Sequence, residues 1–374
     1  MRWQRLLPAK RSWVTSSPWR DGGRKDVLFL FDQAGAWTRY RSEHQAEALR
    51  LAGLTCDLVR AGDVDLLEAV DHYGSFVLNR VEWTDGVADF CDRARVRGRP
   101  LVFDTDDLIF EPELIDRFAI FEGWPEAELM LEVAKLGRYR RTLEECGVAT
   151  VTTEPLREHA LRHASEVHVV ANSVSEEMVR LADEALRTVR EKDAVTIAYF
   201  SGTRTHKRDF LEAADAVLWA LETYPHVRFR AVGKLELDSR FMRFGQRVER
   251  VPIQAWQALP GLLRQVDVNL APLERANPVT ECKSCVKYLE AALLGVPTVA
   301  SPRPDFVRVI EHGHNGLLAD TVEEWREALR VLVDSPSARV ELGERASDDT
   351  RQRHTTAARA PFIAEIYSRV AISR

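Results

Sequence analysis

Three ionisable residues in the second half of the chain have types and spacing suited to chemistry. Lys283, Lys287 and Glu290 fall at i, i+4 and i+7, so on one helix they would form a single stripe, with Ser284 beside it. Two ammonium groups suit a diphosphate. A carboxylate, with several acceptor lone pairs, suits the vicinal hydroxyls of a ribose. A solvated face carrying an ordinary Lys287–Glu290 pair, about 0.2–0.5 kcal/mol, has the same spacing. Spacing alone does not choose between the two. Cys282 and Cys285 form a C-x-x-C, but no second ligand pair accompanies them, so core packing is expected.

A second group follows the apolar run Val195–Phe200 and reads Ser201-Gly202-Thr203-Arg204-Thr205-His206-Lys207. Gly202 allows close approach of backbone to a ligand. Thr203 and Thr205 offer hydroxyls, and His206 and Lys207 stand where the next helix begins. A helix N-terminus with a cation beside it is a phosphate site; a plain strand–helix turn with a solvated Lys207 fits equally well. A third group, Asp104, Asp106 and Asp107, follows the run Leu101–Phe103. Loop hydrogen bonding and capping are its first reading. Contact with an acceptor substrate and a metal-binding D-x-D are the alternatives. Asp305 and Phe306 follow another short run and could reach a sugar. His44 reads as an exposed helix histidine, with a place in a cleft as the alternative.

These groups need elements to position them. Short β-rich runs at Val27–Phe31, Cys56–Arg60, Phe76–Leu78, Leu101–Phe103, Val148–Thr152 and Val167–Val170 alternate with helical stretches, among them Arg41–Ala52, Thr84–Arg97 and Glu126–Cys146. After a charged stretch at Glu176–Asp193 the alternation resumes. Strands are expected at Val195–Phe200, Val227–Val232, Val266–Leu270 and Thr298–Ser301. Helices are expected at His206–Thr223, at Glu281–Leu294 with Thr280 as N-cap and Gly295 as stop, at Thr321–Asp334, at Ser337–Arg353 and at Thr356–Val370. The pattern predicts two α/β units with doubly wound parallel sheets. Ligands of such sheets bind at the carboxyl ends of the strands, which is where the three groups fall.

Composition sets the bounds. A chain of 374 residues with 45% hydrophobic and 29% charged residues is long enough for two folded domains. No apolar run reaches the ~18–20 residues that span a bilayer. A net charge of −6 argues against a protein that coats nucleic acid. Five cysteines, an odd number with no secretory leader before them, point to a reducing, cytoplasmic setting. Residues 1–24 carry six basic side chains and Trp3, Trp13 and Trp19. They read as a terminal arm; peripheral contact with an anionic membrane is the alternative. Neither the loop after Val27–Phe31, Asp32-Gln33-Ala34-Gly35-Ala36-Trp37, nor Ser201–Lys207 is a G-x-G-x-x-G or a P-loop, which disfavours a nicotinamide dehydrogenase and a P-loop kinase.

Residues Val195–Ala319 resemble the donor domain of GT-B glycosyltransferases, in particular the large retaining family four, the glycosyl transferases of group 1. The resemblance rests on Tyr199–Thr203 with Thr205-His206, on Lys283-Ser284 with Lys287–Glu290, on Gly295-Val296-Pro297 with Val299–Ser301, and on Ile310–Gly313 with Asn315–Leu318. It implies a GT-B fold, two Rossmann-like domains facing across a cleft. It also implies an arm at 1–24, an acceptor domain at 25–190, a nucleotide-sugar donor domain at 191–355, and a last helix at 356–374 returning to the first domain. By the same resemblance Gly202, Thr203, His206 and Lys207 line the phosphate side, and Lys283, Ser284 and Lys287 reach the diphosphate or sugar. Glu290 holds the ribose as the second Glu of an E-x7-E element, whose first position is here Cys282, with Glu281 one residue early.

The activity so implied is transfer of a sugar from a nucleotide-diphosphate sugar to an acceptor hydroxyl with retention, in glycan, glycolipid or polysaccharide biosynthesis. Lys207 and Lys283 are the expected catalytic cations and Glu281 the expected contact to the transferred sugar. Asp104, Asp106 and Asp107 are expected on the acceptor side. No metal and no cofactor beyond the co-substrate are expected, and the acceptor is a glycan or a lipid-linked molecule. The alternatives are a non-catalytic nucleotide-sugar-binding protein and a sugar-nucleotide epimerase of the same architecture.

Overall fold

The structure, a computed structural model, describes residues 18–19, 23–190, 194–202 and 206–370, without the side chains of residues 206 and 207. It divides into two compact units. The first holds the described residues up to Ser175 together with Cys282–Ser284 and Thr355–Val370; the second holds Glu176–Glu281 and Cys285–His354.

The first unit is built on a six-stranded sheet: β1 (Lys25–Phe31), β2 (Cys56–Arg60), β3 (Tyr73–Asn79), β4 (Leu101–Thr105), β5 (Val148–Val151) and β6 (Glu166–Val169). The order is β2-β1-β3-β4-β5-β6 and every pairing is parallel. Val27–Phe31 are all fully buried. A continuous apolar strand of that kind belongs to a parallel sheet covered on both faces. The last helix, Thr356–Val370, lies on one of those faces: Tyr367 packs on Phe29, and its hydroxyl donates to Gln45 at 2.7 Å.

The second unit repeats the plan with β7 (Val195–Ser201), β8 (Val227–Gly233), β9 (Val248–Val251), β10 (Val268–Ala271), β11 (Thr298–Ala300) and β12 (Leu317–Leu318). Its order is β9-β8-β7-β10-β11-β12, again all parallel. Counted from β7 this is the 3-2-1-4-5-6 order of dinucleotide-binding folds, with its switch point between β7 and β10. In the first sheet the switch point lies between β1 and β3. Two parallel doubly wound sheets are what the alternation of runs predicts. The pattern missed β9, whose two central residues are exposed, and β12, which is two residues long.

Two local expectations are corrected. The helix expected at Arg41–Ala52 is a π-helical turn, Arg39–Glu43, running into an α-helix, His44–Leu51. The wider turn changes which side chains face inward. His44 is buried rather than exposed, with Nδ1 2.8 Å from the carbonyl of Ser173, and burial with the nearby Arg39 lowers its pKa to about 3. The helix expected at Glu281–Leu294 is two pieces, Pro278–Glu281 and Val286–Ala292. Backbone groups at the break find partners outside the helix: the Cys285 N–H donates to Asp305 at 2.8 Å, and the Cys282 carbonyl accepts from the Thr153 hydroxyl at 3.1 Å. Thr280 lies inside the first piece, and Asn277 caps it by accepting from the Val279 N–H at 2.9 Å. Gly295 does end the second piece, in left-handed conformation at φ 66°.

Candidate functional site

At the carboxyl end of β4 the three aspartates part company. Asp104 is fully buried and accepts from Arg41 at 3.0 and 2.7 Å, Gln45 at 3.0 Å, Asn79 at 2.9 Å and Thr150 at 2.6 Å. A carboxylate offers about four lone-pair sites, so these donors occupy it fully. Asp106 and Asp107 instead flank Arg80, which binds both. Lys283 completes the group with its ammonium 2.5 Å from Asp107. Desolvation raises the Asp106 pKa despite Arg80. The same desolvation acts on Asp107, but Lys283 and Arg80 outweigh it and hold that carboxylate well below its usual range. Desolvation opposes charge on Lys283; Asp107 more than offsets it, and the lysine pKa is raised. Lys283 is therefore a held ammonium whose side chain is 31% exposed.

The neighbouring residues are held too. Asn172 accepts from Arg41 at 3.1 Å and donates to the Ser284 hydroxyl at 3.1 Å. Thr153, Asp107 and Asn172 thus each grip one of the consecutive residues Cys282, Lys283 and Ser284. Those three residues lie in the break, 282–285, between the helical pieces.

In the second unit, Gly202 follows β7 at the switch point. Gly233, at the end of β8, has φ 98°, and a Cβ there would sit 1.8 Å from the Ser201 carbonyl oxygen. The strand ends therefore approach as closely as a glycine permits. Asn269 in β10 donates to the Lys287 carbonyl at 3.1 Å, and the Lys287 ammonium lies 5.7 Å from the centre of the Tyr199 ring, in cation–π range. Glu290 borders an apolar hollow lined by Met178, Trp256, Leu259, Leu263 and Leu293. Glu281 ends its short helix paired with Arg303 at 3.4 Å, and Arg303 also pairs with Asp320 at 3.2 Å. Asp305 is buried and binds Cys285 N–H and Arg308.

The expected Lys283–Lys287–Glu290 stripe is therefore not one stripe: only Lys287 and Glu290 share a helix. Thr203 and the side chains of His206 and Lys207 lie outside the described residues, as does most of the 1–24 arm. Cys282 and Cys285 are both buried. Among the described residues no group of three or more His, Cys, Asp or Glu is placed to hold a metal ion, and no helix is long and apolar enough to cross a membrane.

Sequence reasoning missed Arg80, Arg41, Asn172 and Asp32. Arg80 and Asp32 were open to it, since each directly follows a strand flanking the first sheet's switch point. Asp32 accepts from the Glu82 N–H at 2.7 Å, and burial raises its pKa to about 6 despite that hydrogen bond.

Residues 191–335 match the family of glycosyl transferases group 1. A stretch of 61 residues is 39% identical to D-inositol 3-phosphate glycosyltransferase of Pseudarthrobacter chlorophenolicus, and it spans 16% of this chain but only 14% of that relative. The fold resembles Anabaena HepE, solved with UDP and glucose, at a TM-score of 0.59 and 16% identity over 92% of this chain and 100% of that one. It also resembles sucrose-phosphate synthase from Thermosynechococcus elongatus, at 0.60 and 14% over 92% and 99%. The chain thus has the GT-B fold, and within it residues 191–335 are similar to the glycosyl transferases of group 1.

Proposed function

We propose that this protein is a glycosyltransferase that moves a sugar from a nucleotide-diphosphate sugar to an acceptor hydroxyl with retention, in the assembly of a glycan, glycolipid or polysaccharide. The observation that carries the reading is the second sheet's order with its tight Ser201–Gly233 strand ends, on the stretch that matches the group 1 family. HepE, solved with UDP and glucose, supports a nucleotide-sugar donor. The donor's anomeric carbon–oxygen bond breaks, the diphosphate leaves, and the acceptor oxygen bonds to the same face while its proton passes to a phosphate oxygen.

Negative charge growing on the diphosphate is the part of the transition state that preorganised cations stabilise best. Lys283, Lys287 and Lys207 take that role, with Ser284, Gly202, Thr203 and His206 lining the phosphates and Glu290 accepting from the ribose. Glu281 stays near the transferred sugar. Asp106 and Asp107 face the acceptor, and Asp104 serves as their internal anchor. Lys283 would exchange Asp107 for the diphosphate, one carboxylate partner for a doubly charged one. The protein works in the cytoplasm, with residues 1–24 available for contact with a membrane that bears a lipid-linked acceptor.

A thermal-shift screen against UDP-, GDP-, ADP- and dTDP-sugars tests the reading. A ligand stabilises by RT ln(1 + [L]/Kd), about 2.7 kcal/mol at a hundredfold excess over Kd. One donor series should raise the melting temperature well above the others. No shift with any of them overturns the proposal.

A further inference from the structure

We propose that Arg80 is a positioning residue for Lys283, and that Trp37 and Gly35 hold Arg80 in that role. The inference rests on the reading of Lys283 as a donor-site cation and goes beyond it, because it names the side chains that set how firmly Lys283 is tied down.

Arg80 is the residue after β3, and it has a left-handed backbone at φ 51°. A non-glycine residue keeps that conformation only where its surroundings over-determine it. Here they do: the Arg80 N–H donates to the Asp104 carbonyl at 3.1 Å, and the guanidinium binds Asp106 and, at 2.6 Å, Asp107. The guanidinium also lies over the Trp37 ring, 4.9 Å from its centre. Gly35 leaves room for the Trp37 ring, since a Cβ there would come within 2.5 Å of it, and the indole N–H is held by the Gln33 carbonyl at 3.1 Å. Gly35, Trp37, Arg80, Asp107 and Lys283 form a chain of contacts from the loop after β1 to the break at 282–284.

Charge balance gives the chain its purpose. Asp107 is the carboxylate held ionised, and Arg80 and Lys283 are the two cations that share it. Arg41 faces Asp106 as well, but Asp104 holds it. With Arg80 in place, Lys283 has only a share of Asp107 and can leave it for a phosphate. Without Arg80, Lys283 alone answers Asp107, is bound more tightly, and is less available. Arg80 also repels the ammonium directly.

The chain has eight lysines, so acetylation of Lys283 by acetic anhydride at fixed pH can be followed peptide by peptide by mass spectrometry, with Lys25 as internal reference. Arg80→Met should slow Lys283 relative to Lys25 by roughly threefold or more, since half a pKa unit is about threefold in free amine. Arg80→Lys should restore the parent rate. Gly35→Ala, which leaves every charge in place, should slow Lys283 in the same direction. An unchanged or faster Lys283 in Arg80→Met, or equal slowing in Arg80→Lys, overturns the proposal. So does a Gly35→Ala variant that alters only the melting temperature. The readout needs no ligand: if the parent binds no nucleotide sugar, the donor-site reading fails while the labelling result still decides the role of Arg80.

Discussion

The guanidinium of Arg41 grips the carboxylate of Asp104 where neither side chain meets solvent. The pair joins the π-helical turn Arg39–Glu43 to β4 across 63 positions of sequence. Removing one partner leaves a buried charge uncompensated, which costs about 3–5 kcal/mol. Arg41→Met should lose stability in that range in urea unfolding. A loss below about 1 kcal/mol would show that Asp104 is not an internal anchor and would return it to the acceptor-side group.

Two glycines at neighbouring strand ends separate folding from ligand approach. A Cβ at Gly233 would collide with the Ser201 carbonyl, whereas a Cβ at Gly202 meets nothing within 4 Å. Gly233→Ala should cost about 2 kcal/mol or more, because both the clash and the left-handed backbone oppose it. Gly202→Ala should stay within about 0.5 kcal/mol of the parent yet weaken binding of a nucleotide sugar. Thermal melting and titration of both variants check this. Parent-like donor affinity in Gly202→Ala removes that residue from the site.

Asp32 gives a pH dependence with a definite sign. Its pKa rises from 3.8 to about 6 on folding. The folded state therefore binds more protons than the unfolded chain across that window, and stability falls as pH rises from about 4 to about 6. Asp32→Asn keeps an acceptor for the Glu82 N–H and removes the titration. The melting temperature of the variant minus that of the parent should rise between pH 4 and pH 6 and then level off. A difference that does not change with pH contradicts the burial of a charged group at this switch point.

Much of the scaffold was legible because local signals determine it. The helix Glu126–Cys146 ends at Gly147, which adopts φ 67°, and His206–Thr223 and Thr356–Val370 also fall where their patterns place them. Runs such as Val27–Phe31 read as strands because both faces of their sheet are buried. The break at 282–285 was not legible. Its causes are Thr153, Asp305 and Asn172, far away in sequence, and the local pattern Cys282-Cys285-Leu289-Leu293 is helical. His44 misled for a similar reason, since a π-turn alters the phase of the helix it begins. Of the aspartates, sequence gave position but not partners: Asp104 and Asp107 sit three residues apart, yet one is bound by Arg41 and the other by Arg80 and Lys283.

Calorimetric titration of UDP-, GDP-, ADP- and dTDP-glucose into the parent protein and into Lys283→Ala tests the central claim most directly. The parent should bind at least one of them saturably. Loss of a charge-assisted hydrogen bond worth ~1.5–3 kcal/mol should weaken that binding roughly ten- to a hundredfold in the variant. Absence of binding by the parent, or equal affinity in Lys283→Ala, would contradict the account.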